Sequence, residues 1–166
     1  MNNTGAVTWI EVRGLEDELT LRELAHIFHI HPLALEDIVH TPHRPKMEAY
    51  DQHLFVITRM VMLRSQDDIE ASQVSIFLGS NYVLTFLDDI SDCLDPVRER
   101  IRKKNGIHRS SGADYLFYSI LDAIVDHYFP VLETYGEHLE FIEEQTVAHP
   151  ASQTLKRIHV AKRELL

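Results

Sequence analysis

A chain of 166 residues, 45% of them hydrophobic and 25% charged, has enough apolar side chains for one well-packed domain, or one domain with an appendage. Its 26 acidic against 16 basic residues leave a net charge of −10, which opposes binding to nucleic-acid phosphates and suits divalent cations or basic partners. The lone Cys93 excludes an internal disulfide and fits a reducing compartment, and no apolar run approaches the roughly 18 residues that span a bilayer.

In chain order, Val7 to Arg13 reads as a strand closed by Gly14. Thr20, with Glu23 three residues later, reads as the capping box of a helix over Leu21 to Phe28. His31-Pro32 opens a second helix, and the prolines at 42 and 45 end it. Lys46 to Tyr50 is a short strand ahead of the β-rich run L-F-V-I-T-R-M-V-M-L. Ala71 to Leu78 and Tyr82 to Leu87 flank the turn Gly79-Ser80-Asn81 and form a hairpin. These strands are apolar on both faces, which predicts a sheet covered on both sides.

The remainder reads as helical. Asp95 is the expected cap of a short helix ending at Asn105-Gly106. A long helix follows, with Leu116, Ile120, Ile124, Tyr128, Leu132, Tyr135, Leu139 and Ile142 at three- and four-residue steps, interrupted and kinked at Pro130. His149-Pro150 starts a last helix that reaches Leu166 without a stop signal, so a continuation beyond Leu166 is expected. From Thr146 onward four basic residues stand against one acid, so the preceding body is the more acidic part. The N-terminus has neither the basic start nor the apolar core of a signal peptide, and the chain as it stands reads as soluble and cytoplasmic.

Two carboxylate pairs stand out. Asp122 and Asp126 lie one helical turn apart with no cation between them, an arrangement that mutual repulsion disfavours unless a divalent cation or solvent relieves it. Glu36 and Asp37 sit near the C-terminal end of the second helix, where the helix dipole opposes negative charge. Either acid can instead pair with Arg44 or Lys46 downstream. His26, His29 and His31, with His40 and His43 nearby, offer imidazoles to zinc, but neither H-E-x-x-H nor C-x-x-C is present, and helix-end or surface histidines are the plainer account. There is no glycine-rich phosphate loop and no Ser/His/Asp nucleophile motif, so the chain does not read as an enzyme.

Six segments in order, H-P-L-A-L-E-D-I, R-P-K, Q-V-S-I-F-L, D-P-V-R-E-R-I-R, G-A-D-Y-L-F-Y-S-I-L-D-A-I-V-D-H-Y-F and K-R-E-L, together resemble the CorA-type magnesium/cobalt channels and cover nearly the whole chain. The resemblance implies an α/β fold: an α/β/α sandwich with a mixed, largely antiparallel central sheet, followed by long helices. Residues 1–110 would be the cytoplasmic α/β domain, and 111–166 its helical part, ending within a truncated stalk helix. It implies a regulatory domain on the cytoplasmic face of the inner membrane, attached there only through later segments. The complete protein would be a homopentamer that senses Mg²⁺, with Co²⁺ as an alternative ion. Carried over by motif, Asp37 is the foremost metal ligand and Glu36 and Asp122 form a second set; Asp126 is a candidate through its spacing from Asp122 alone. The zinc-transporting branch of the same superfamily, a soluble metal-dependent hydrolase using Asp122, Asp126 and His127, and an assembly scaffold are the competing readings.

Overall fold

The structure, a computed structural model, describes residues 6–51, 53–65, 68–88, 92–103 and 111–148. Its elements are β1 (Thr8–Arg13), α1 (Glu18–Ile27), α2 (Pro32–Val39), β2 (Lys46–Tyr50), β3 (His53–Ser65), β4 (Asp68–Leu78), β5 (Tyr82–Leu87), α3 (Asp95–Arg102) and α4 (Ala113–Ala148). The last predicted helix and the Asn105-Gly106 stop lie outside the described residues.

The five strands form one sheet in the order β1-β5-β4-β3-β2. β1 runs parallel to β5, whereas β2 with β3 and β4 with β5 are antiparallel, so the sheet is mixed as expected. Strand alternation sends successive side chains to opposite faces. One set, Phe55, Ile57, Phe77, Leu84 and Phe86, packs with Leu21, Ala25, Ala34 and Ile38 of α1 and α2. The alternate set, including Val56, Met60, Val74, Ile76, Val83 and Leu87, is equally buried. On that second face the indole of Trp9 donates to Thr85 Oγ1 at 3.1 Å, and the Arg98 guanidinium of α3 lies 5.8 Å from the Trp9 ring centroid. With Leu116, Ile120 and Ile124 of α4 also buried, helices cover both faces, giving the α/β/α sandwich.

Gly79 ends β4 where no other residue fits. A Cβ there would lie 2.3 Å from the Tyr82 ring, and that ring is fixed by hydroxyl contacts to Phe28 O (3.3 Å) and His53 Nε2 (2.9 Å).

The helix starts differ from the predicted ones. Asp17, not Thr20, caps α1: its Oδ1 accepts from the Leu19 and Thr20 amides, and Thr20, inside the helix, donates its hydroxyl to Asp17 Oδ2. A carboxylate one turn earlier satisfies two of the free amides of the first turn, which leaves Thr20 and Glu23 no capping role. Likewise Asp95 lies within α3, and the residue at its N-cap, Leu94, supplies no side-chain hydrogen bond. The acid that bonds this N-terminus is Asp92, whose Oδ1 accepts from the Leu94 amide at 2.8 Å.

Pro130 does not interrupt α4, which continues through it. A proline removes one backbone bond, and burial of Val131, Tyr135 and Ile142 farther along supports the helix beyond it. Leu132 and Leu139, predicted on the buried stripe, are exposed, because that stripe runs through Val131 instead. The described residues form two compact units: those of 6–60 with those of 72–126, and those of 61–71 with those of 127–148. In the second, Ile69 packs against Tyr135 and Ile142.

Candidate metal site on the second helix

α2 is short and strongly anchored. His31 caps it through Nδ1, which accepts the Leu33 amide at 3.2 Å, and Pro32 occupies the first turn. Ala34 and Ile38 are fully buried, one turn apart. Asp37, beside Ile38, is therefore held at the edge of the core, with its side chain 16% exposed.

Three of the six motif segments meet at Asp37, which lies in one of them and is reached by the other two at its carboxylate and its backbone. Lys46 Nζ, at the end of R-P-K, donates to Asp37 Oδ2 at 2.6 Å. His43 Nε2 stands 3.4 Å from Oδ1; it is buried and no hydrogen bond reaches it. Gln73, the first residue of Q-V-S-I-F-L, is buried and acts as a clamp. Its amide NH₂ donates to the Asp37 carbonyl at 2.9 Å, and its carbonyl oxygen accepts the His43 amide at 2.7 Å. Lys46, Glu48 and Tyr50 alternate along β2 and form a polar row on one face. Lys46 Nζ also donates to Glu48 Oε1 (3.0 Å), and the Tyr50 hydroxyl donates to Glu48 Oε2 (2.7 Å). The hydrogen bond to Asp37 is the main reason the Lys46 ammonium titrates above its usual range. The Tyr50 bond, followed by that from Lys46, holds the Glu48 carboxyl below its usual range.

The other predicted ligands lie elsewhere. Glu36 is exposed and lines a groove between α1 and α2 with Leu21, Leu35, Val39 and His40. Asp122 is half-buried on α4 and accepts from the Tyr118 hydroxyl at 3.2 Å; Asp126, one turn on, is exposed. The Asp122 charge is the first cause of the upward shift of the Tyr118 phenol. α2 and α4 belong to different layers, so these acids do not converge within the chain. Among the described residues no group of three or more His, Cys, Asp or Glu is placed to hold a metal ion. That holds for the H-x-x-H-x-H histidines too: His31 is a cap, and His29 is a turn residue with φ of 51°.

A second charged cluster escaped the sequence reading. Arg98 donates to both carboxylate oxygens of Glu11 and of Asp92, at 2.7 to 3.1 Å, and to Asp95 at 2.9 Å. Arg13 adds a contact to Asp92 at 3.1 Å. Glu11 and Arg13 alternate along β1 on the Trp9 face, a spacing that points them together toward α3, and that spacing was the available signal.

The fold superposes on the soluble domain of CorA from Methanocaldococcus jannaschii with a TM-score of 0.75, at 22% identity, covering 92% of this chain and 60% of that one. A family model described as CorA-like Mg²⁺ transporter protein matches residues 4–166. The cobalt/magnesium transport protein CorA of Thermotoga maritima is 40% identical over 160 residues, 96% of this chain and 46% of that protein. A putative metal ion transporter of Bacillus subtilis, YfjQ, is 34% identical over 82% of this chain and 41% of its own length. The chain belongs to the CorA-like Mg²⁺ transporter family. It spans just under half the length of these curated relatives, and no described helix is long and apolar enough to cross a membrane.

Proposed function

We propose that this chain is the cytoplasmic regulatory part of a magnesium/cobalt ion channel, sensing intracellular Mg²⁺ through carboxylates shared between subunits of a homopentamer. The convergence of three family segments on Asp37 carries this reading. A carboxylate at a layer edge, with its backbone clamped by Gln73, is the kind of rigid oxygen donor a site between protomers needs.

The donor set fits a hard divalent ion. Mg²⁺ takes oxygen ligands, keeps several of its waters and needs only one or two carboxylates. Asp37 supplies hard oxygens, and the buried His43 nitrogen beside it is an unused polar atom of the sort a hydration shell can engage. Glu36, Asp122 and Asp126 offer exposed or half-exposed oxygens to a neighbouring protomer. Two facing unit charges at 4 Å repel by about 4 kcal/mol at an effective dielectric of 20, and an intervening divalent ion reverses that sign. Ion occupancy then favours one packing of the ring, and the gating shift is bounded by the ion's differential affinity for the two packings. Co²⁺ is the alternative ion. The names of the curated relatives describe transport, not catalysis, and the role proposed here is likewise non-enzymatic.

The test is Asp37→Ala in the full-length protein, reconstituted in vesicles. Ion flux is expected to persist at internal Mg²⁺ concentrations that close the wild type. Unchanged closure would remove Asp37 from the sensor.

A further inference from the structure

We infer that Lys46 is a resident counter-ion that Mg²⁺ must displace from Asp37, with Glu48 receiving the displaced ammonium. The inference deepens the sensing reading and rests on it.

Three geometric observations support it. Lys46 Nζ lies 2.6 Å from Asp37 Oδ2, so that oxygen is not free for an incoming cation. The same Nζ is 3.0 Å from Glu48 Oε1, so a second carboxylate already holds the lysine and can keep its charge paired once Asp37 is taken. Glu48 itself is fixed by the Tyr50 hydroxyl at 2.7 Å, and Lys46, Glu48 and Tyr50 share one face of β2. The groups that Lys46 contacts are thus Asp37, itself beside His43, and Glu48 on its own strand, itself held by Tyr50.

The emptied site is consequently not a bare carboxylate. When Mg²⁺ leaves, the ammonium returns, and the threshold of the sensor is set by competition between one monovalent tethered cation and one divalent free one. Removing the competitor should tighten Mg²⁺ binding. Removing the alternative carboxylate should weaken it, because the lysine then has only Asp37 to occupy.

The experiment uses full-length protein in detergent, Mg²⁺ itself as the probe, and the Mg²⁺ concentration giving half-maximal thermal stabilisation as the readout. Lys46→Met is expected to lower that midpoint about fivefold, the ceiling for a partly exposed ion pair. Lys46→Arg keeps the charge and should stay near wild type. Glu48→Gln leaves Lys46 in place and should raise the midpoint, which keeps the test decisive even if Lys46→Met folds poorly. An unchanged or raised midpoint in Lys46→Met, or an unchanged or lowered one in Glu48→Gln, overturns the displacement mechanism. Asp37→Ala separates the two claims. If it abolishes the Mg²⁺ response while Lys46→Met matches wild type, only the displacement mechanism falls. If it leaves the response intact, the sensing role of Asp37 falls with it.

Discussion

Arg98 shows how strongly single side chains are committed in this fold. Its side chain is 11% exposed and Asp92 is 2% exposed, so each would be a nearly buried charge without the other. Burial pushes the Asp92 carboxyl up, but hydrogen bonds from Arg98 and the Leu94 amide, with the charges of Arg98 and Arg13, outweigh it and leave the carboxyl below 3.8. Burial likewise disfavours the Arg98 charge, and bonds to Asp92, Glu11 and Asp95 more than reverse that. Because the folded Asp92 titrates lower than the unfolded one, its contribution is fully present above pH 3.8 and is lost as the pH falls through the depressed folded value. Arg98→Met is expected to cost about 3–5 kcal/mol, since it strands buried carboxylates. Urea unfolding at neutral pH measures that loss, and the deficit should shrink on acidification as Asp92 protonates. Cys93, buried next to this cluster, is pushed up to about 11 chiefly by burial, so its thiol should resist alkylation at neutral pH in the native protein and react once urea unfolds the chain.

Among the elements, the connection from α2 to β2 carries the candidate site, and its position depends on β4. Gln73 bridges from β4 to both the Asp37 carbonyl and the His43 amide, replacing hydrogen bonds that the helix end and the proline-containing loop cannot make for themselves. Gln73→Leu preserves bulk but orphans both groups, at about 1–3 kcal/mol for each that stays dry. A lowered urea midpoint checks the stability loss. A weakened Mg²⁺ response with Asp37 and Lys46 intact would mark Gln73 as a positioning residue for the carboxylate. Helix caps illustrate the same competition. Thr20-x-x-Glu23 satisfies the capping-box pattern, yet Asp17 takes the amides first.

For the whole molecule, the candidate carboxylates are divided between α2 and α4 in different layers of the sandwich. On the proposed reading each protomer would present half-sites, and metal affinity would be a property of the assembly. Chain 1–166 alone is expected to show at most a weak difference in sedimentation between Mg²⁺ and EDTA. The full-length protein should show a Mg²⁺-dependent compaction that Asp37→Ala removes. A strong Mg²⁺ effect on the isolated chain would place a complete site within one protomer and count against sharing between subunits.

The sequence by itself determined the order and type of the described elements, the α/β class and the family. The elements depend on periodicity and proline and glycine punctuation, and the class and family on the resemblance carried by six segments in order, all of which are local or additive along the chain. Tertiary structure decided which charges meet. Asp37 had two cations within reach, Arg44 and Lys46, and strand alternation in β2 selected Lys46 by turning it toward α2. Gln73 lies 36 residues from Asp37 and Arg98 lies 87 from Glu11, separations at which no pattern along the chain specifies a partner. Sheet register and layer packing bring them into contact, because a buried hydrogen-bonding or charged group is stable only where the fold supplies its complement.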